Sequence, residues 1–193
     1  MTTYVLVHGA WHGGWCWRRV ADRLRKAGHE VFTPTMTGLG ERAHLGSPDT
    51  DLNTHIQDIC AVFESEEIDR AVLCGHSYGG MVITGVADRL ADRISAIVYL
   101  DAFIPEDGQS LFDIQGPERV KLFRDLANQS GDGWRVPPVS AEYFAVMTPE
   151  DAVWVDRRCV AQSIATYATP VRRSGADRAI PRKIYIRADS YPN

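Results

Sequence analysis

The stretch Arg70–Arg89, RAVLCGHSYGGMVITGVADR, decides how the rest of the chain is read. Ala71, Val72, Leu73 and Cys74 form an apolar run that halts at Gly75-His76-Ser77-Tyr78-Gly79-Gly80. Beyond that turn, Met81, Val82, Val86 and Leu90 recur at helical spacing, which predicts a helix with one apolar face. Strand, tight turn and helix therefore meet at Ser77. A serine at such an apex, inside the pattern G-x-S-x-G, presents its hydroxyl as a nucleophile. The turn demands a positive φ at Ser77, and crowding around it leaves no room for a Cβ at Gly75 or Gly79. The helix that follows turns unpaired N–H groups and the positive end of its dipole towards the serine. Chance alone yields G-x-S-x-G in roughly one chain in fifteen of this length. The flanking strand and helix carry the reading, against the competing one of a helix-capping serine in a glycine-rich turn.

Composition narrows the class. A chain of 193 residues, 45% hydrophobic and 24% charged, fits one domain with a substantial core. A net charge of −4 and scattered Lys and Arg argue against nucleic acid or an anionic membrane as partner. The N-terminal MTTYVLVHG enters a strand at once, with no basic leader and no apolar run of membrane-spanning length. Cys16, Cys60, Cys74 and Cys159 form no CxxC pair and read as reduced core thiols of a cytoplasmic protein.

Along the chain, strands are predicted at Tyr4–Val7, Glu30–Thr33, Ala71–Cys74, Ser95–Leu100 and Lys183–Arg187. Helices are predicted at about Cys16–Ala27, with Val20, Leu24 and Ala27 buried, and from Thr50 or Asp51 to about Ser65. Continuous apolar strands alternating with helices imply a parallel sheet covered on both faces, in spatial order 2-1-3-4-5. The segment Phe103–Gly175 breaks the rhythm and carries Trp134, Tyr143, Phe144, Trp154 and Tyr167, which reads as a mainly helical cap. The expected organisation is residues 1–102 as the first part of the core, 103–175 as cap, and 176–193 as the return to the core.

The loop His8–Trp15 should lie beside Ser77 at the carboxyl edge of the sheet. It places one oxyanion-binding N–H at Ala10, and the residue after the nucleophile, Tyr78, supplies the other. His8, His12 and His76 sit at turns, where an imidazole more often fixes a loop by bonding its backbone than transfers a proton. Trp11, Phe103, Trp134 and Trp154 are candidate walls of a substrate pocket, although aromatic residues of a cap as often form its own core.

VLVHGAWHGGWCW, GHSYGG and YLDAFIPEDG together resemble the esterase and hydroxynitrile lyase branch of the α/β-hydrolases, which includes plant methyl-ester hydrolases and bacterial relatives. The resemblance covers nearly the whole chain. It implies an α/β-hydrolase fold with a small helical cap, and serine hydrolysis without metal or organic cofactor. Cyanohydrin-cleaving members carry polar residues such as Thr or Asn where this chain has Gly9 and Ala10, which favours esterase over lyase.

Two carboxylates compete for the role of triad acid. Asp101 ends the strand after the elbow helix, and Asp189 follows the last strand. Most of the superfamily uses the later position, whereas haloalkane dehalogenases and pancreatic-type lipases resemble the earlier one. Asp101 is preferred and Asp189 is the alternative. The chain order of such triads is Ser, acid, His, yet all six histidines precede Ser77. The last strand and helix of the fold, with the family's His, are accordingly expected to be missing, leaving Lys183–Arg187 as an open edge that a homodimer could cover. The expected function is hydrolysis of a small carboxylic ester through an acyl-enzyme on Ser77, impaired by the absent base. The alternatives are a hydroxynitrile or other C–C lyase, and a non-catalytic receptor for a small ligand.

Overall fold

The computed structural model describes residues 1–144, 146 and 148–189. Its frame is a five-stranded parallel sheet of β1 (Thr3–Val7), β2 (Glu30–Phe32), β3 (Ala71–His76), β4 (Ile94–Leu100) and β7 (Lys183–Ile186). The spatial order β2-β1-β3-β4-β7 is the predicted one, reversing direction of travel at β1 and β3. Between β4 and β7 the chain forms α4 (Leu111–Gln115), α5 (Pro117–Ser130), α6 (Pro149–Asp156) and α7 (Ala165–Ala168). It also forms an antiparallel pair, β5 (Arg135–Val136) and β6 (Gln162–Ser163), which the helical reading of this segment did not include.

Local sequence explains the helices that cover the sheet. α2 (Leu52–Ser65) starts where Asp51 accepts from the Thr54 N–H while the Thr54 hydroxyl bonds back to the Asp51 N–H. It buries Ile56, Ile59 and Phe63. α3 (Gly79–Arg89) follows the Ser77 turn and departs from the single apolar face expected of it. All nine residues from Gly79 to Ala87 are buried. The sheet, α2 and the 3₁₀ turn Ala176–Ala179 surround it, so its glycines and Thr84 serve as close-packing positions. Thr84 satisfies its hydroxyl internally on the Gly80 carbonyl (2.7 Å).

The opposite sheet face is thinly covered. The helix expected from Cys16 begins as a 3₁₀ turn, Gly14–Trp17, and becomes α1 only at Arg18–Lys26. Of the three residues expected to be buried there, Val20 is 43% exposed and Ala27 lies at the surface; Ala21 and Leu24 make the packing instead. A small cluster of Leu6, Trp17, Ala21, Val31 and Cys74 is all that α1 closes over. At the far edge β7 is not covered on two sides: Ile184, Tyr185 and Ile186 are 44%, 50% and 48% exposed. Among the described residues β7 pairs only with β4, leaving one edge open. No helix among the described residues is long and apolar enough to cross a membrane.

An open edge with exposed Ile and Tyr side chains favours strand-to-strand pairing, and each large apolar side chain it buries contributes about 1.5–3 kcal/mol. Sedimentation velocity at rising concentration is therefore expected to show two copies associating, and the double variant Ile184→Lys, Ile186→Lys to stay monomeric. A wild type that remains monomeric throughout contradicts this expectation.

Candidate active site

Three residues with side chains adopt left-handed backbone at the carboxyl ends of three neighbouring strands: Trp11 after β1 (φ 63°), Ser77 after β3 (φ 51°) and Asp101 after β4 (φ 43°). Such conformations cost about 1–3 kcal/mol each and persist only where the surroundings enforce them. Here the enforcement is backbone packing. A Cβ on Gly75 would stand 2.7 Å from the Gly79 carbonyl oxygen, and one on Gly79 would stand 2.8 Å from the carbonyl oxygens of Val7 and His8. The start of α3 is thus pressed against the end of β1, bringing the His8–Trp15 loop onto the elbow. A Cβ on Gly9 would lie 3.2 Å from that of Ser77.

The loop's peptide groups are fixed one by one. The His8 Nε2 accepts from the Met36 N–H (3.2 Å), so its Nδ1 carries the proton and donates to the Gly9 carbonyl (2.9 Å). His12 Nδ1 donates to the Ala10 carbonyl (2.6 Å), and the Trp11 N–H donates to Gln162 Oε1 (2.9 Å). Because the Gly9 carbonyl is held on His8, the Ala10 N–H of the same trans peptide points the opposite way. Among the described residues neither that N–H nor the Tyr78 N–H meets a protein acceptor. His8 and His12 are therefore the loop-fixing imidazoles that their turn positions suggested.

Tyr78 itself is fully buried. His55 Nε2 bonds the Thr37 carbonyl (2.9 Å) and must be the donor there. Its bare Nδ1 accordingly accepts from the Tyr78 hydroxyl at 2.9 Å. Burial pushes the Tyr78 phenol above its ordinary range and lowers His55. Sequence reading gave His55 and Gln162 no role: each acts through a partner distant along the chain, which no local pattern announces.

Asp101 adjoins Ser77 across the ladder. His76 pairs with Leu100, the Ser77 N–H donates to the Leu100 carbonyl (3.3 Å), and the Asp101 N–H to the Ile186 carbonyl (2.7 Å). The Asp101 carboxylate is exposed and lies close enough to oppose the lowering of the His76 pKa to about 4, which burial causes. Asp189 lies further out, its side chain 89% exposed and paired with Arg187 at 3.7 Å. Among the described residues no imidazole hydrogen-bonds the Ser77 hydroxyl. Cys159 Sγ rests 3.9 Å from both His12 ring nitrogens, but burial pushes its thiol up to about 12, so this pair supplies no thiolate.

The four aromatic candidates separate. The Phe103 N–H bonds the Ser77 carbonyl (3.2 Å), placing it at the elbow. Trp11 is buried among Phe123, Phe144 and Tyr167. Trp134 lines a cavity of about 410 Å³ between the loop after β2 and the β5–β6 pair, with Leu39, His55, Arg135 and Gln162; Ser77 and Ala10 do not line it. Trp154 packs edge-on against Trp15, which in turn stacks on His12, so two rings separate it from Ala10. Among the described residues no group of His, Cys, Asp and Glu side chains converges as a metal-ligand set.

A parallel sheet with a strained serine between β3 and α3, against which the loop after β1 is packed, is the arrangement of an α/β-hydrolase. A profile of the alpha/beta hydrolase family matches residues 4–192, and the chain belongs to that family, in its esterase branch. It is 49% identical over 199 aligned positions to a carbendazim-hydrolysing esterase of Nocardioides sp. (strain SG-4G), covering 99% of this chain and 81% of that one. A probable esterase of Oryza sativa subsp. indica is 34% identical over 109 residues, which span 56% of this chain and 41% of the rice protein. Among solved structures, an extracellular alpha/beta-hydrolase from a Paenibacillus species superposes with a TM-score of 0.82 at 28% identity, covering 96% of this chain and 77% of its own.

The buried imidazole of His8 has a measurable signature. Burial lowers its pKa from 6.5 to about 3, while the unfolded chain protonates at the ordinary value. The stability that neutral His8 contributes is complete above pH 6.5 and is lost as pH falls towards 3, at about 1.4 kcal/mol per pH unit. Urea unfolding of wild type and His8→Gln across that window is expected to show the variant's slope shallower by about that amount. Parallel slopes would mean that His8 is protonated in the folded chain.

Proposed function

We propose that the chain is a serine carboxylic-ester hydrolase that acts on a small, largely apolar or aromatic ester through an acyl-enzyme on Ser77. The observation that carries this reading is the strained Ser77 (φ 51°) beside two backbone N–H groups, of Ala10 and Tyr78, that have no acceptor among the described residues. As the ester carbonyl becomes tetrahedral, its oxygen gains charge, and two fixed donors stabilise that charge more than the neutral ground state. The start of α3 adds the positive end of its dipole at the same place. Asp101 is the proposed triad acid, because its backbone adjoins Ser77 across the ladder. Gly9 and Ala10 offer no side-chain hydroxyl or amide to a cyanohydrin, which supports hydrolysis over C–C cleavage. The name of the Nocardioides relative makes carbendazim a substrate to assay. The four free thiols suit a reducing compartment, and the cytoplasm is the proposed location.

The base is the part this site does not hold. His8, His12 and His55 are bonded to backbone or phenol partners, and among the described residues His76 makes no hydrogen bond to the Ser77 hydroxyl. Without an imidazole to take its proton, Ser77 is expected to turn over p-nitrophenyl acetate about 10⁶-fold below a complete triad. Ser77 is only half-buried and its neighbour Asp101 is exposed, so free imidazole can reach it.

Expressed as 193 residues, the chain is expected to release p-nitrophenol above the rate of imidazole buffer alone only when imidazole is present, with an acetyl adduct on Ser77 seen by mass spectrometry and none in Ser77→Ala. Asp101→Asn should depress the imidazole-dependent rate while Asp189→Asn leaves it within about twofold; the reverse order would make Asp189 the acid. Ordinary turnover without imidazole would reassign the base to His12 or His76.

A further inference from the structure

Trp11 joins the oxyanion loop to the β5–β6 pair through three hydrogen bonds. Its N–H donates to Gln162 Oε1 (2.9 Å), its carbonyl accepts from the Val160 N–H (3.0 Å), and its indole Nε1–H donates to the Val136 carbonyl (3.0 Å). Gln162 is 1% exposed, and its amide cannot be turned round. Its Nε2 donates to Thr166 Oγ1 (2.8 Å), and the Thr166 hydroxyl spends its own proton on the Ser163 carbonyl (2.7 Å). Oε1 is thus fixed towards Trp11.

The two peptide planes around Ala10 show what this achieves. The Ala10–Trp11 plane is held at both ends, its carbonyl by His12 and its N–H by Gln162. The Gly9–Ala10 plane is held at its carbonyl by His8, and its N–H is the free donor. Trp11 has a left-handed φ of 63°, and Gln162 is the acceptor that holds its N–H. Release would let the Ala10–Trp11 plane rotate, and the direction of the neighbouring Ala10 N–H would turn with it.

We propose that Gln162, 151 residues away in sequence, is a positioning residue for the oxyanion hole, so that the Ala10 donor is aimed only when the β5–β6 pair is seated on the core. This rests on the reading of Ser77 as nucleophile and Ala10 as oxyanion donor. Gln162 touches no reacting atom. Its loss should slow acylation without weakening ground-state binding of the ester.

The test is acetylation of Ser77 by p-nitrophenyl acetate in imidazole buffer, followed by intact mass against ester concentration. Removing an oxyanion donor costs about 10²–10³ in rate, so misaiming one through Gln162→Met should lower the saturating acylation rate by about tenfold or more. The half-saturating concentration should stay within about twofold. Gln162→Glu keeps an oxygen acceptor for Trp11 and should acylate within about threefold of wild type. Should Gln162→Met fail to fold by circular dichroism, Thr166→Val carries the test, because it frees the amide to turn and should slow acylation by about threefold or more. An unchanged rate in the folded variant, a loss equal in Gln162→Glu, or a loss confined to half-saturation overturns the proposal. A wild type that is never acetylated, or a Ser77→Ala chain that is acetylated as fast, overturns the nucleophile reading together with it. Ser77→Ala silent beside an unaffected Gln162→Met overturns the positioning role alone.

Discussion

The site depends on one steric constraint, the contact of backbone with backbone where α3 leaves β3 and meets the end of β1. A side chain at Gly79 would stand 2.8 Å from two carbonyl oxygens of that strand, and one at Gly75 would meet the Gly79 carbonyl at 2.7 Å. Real Cβ atoms do not approach so closely, so the two glycines are what allow the elbow to close. Closure has two effects at once. It forces Ser77 into left-handed backbone, and it carries the His8–Trp15 loop within contact of the serine. Ser77 and the His8–Trp15 loop are therefore not assembled separately; one packing event sets both.

That constraint was legible because it is local. Glycine spacing, an apolar strand and a periodic helix within twenty residues specify the turn, and the alternation of strands and helices specifies a parallel sheet with its order. Burial was less legible, since it depends on what packs from elsewhere. α3 has an amphipathic reading in sequence, yet the Ala176–Ala179 turn, about ninety positions later, covers the side that periodicity leaves for water. α1 shows the converse. Val20 has the right residue type for a core, but over α1 the sheet offers only a small cluster, which Ala21 and Leu24 already fill.

Gln162 marks the limit more sharply. A glutamine in AQSIATYA carries no motif, and its neighbours predict nothing about Trp11. Its part follows from a β-pair that only the fold brings to the loop, and from Thr166, four residues on, which fixes the amide. The tryptophans were visible as aromatic residues, but their partners were not. Trp11 joins the loop to the β5–β6 pair, Trp134 lines the cavity, and Trp154 shields Trp15.

The economy of donors around Ala10 accounts for why so short a loop needs so many supports. Leaving a buried N–H without an acceptor costs about 1–3 kcal/mol, and the described residues leave two such groups unpaired beside Ser77. A loop free to move would relieve that cost by turning a donor onto the nearest carbonyl, and the donor would then be lost to a substrate. The surrounding acceptors are already engaged: Gly9 by His8, Ala10 by His12 and Trp11 by Val160. Among the described residues the Ala10 N–H meets no protein acceptor. His8 and His12 thus hold the two carbonyls on either side of the Ala10 N–H. In the proposed reaction an arriving oxygen that gains negative charge would recover that cost, which is the condition for stabilising a transition state more than a substrate.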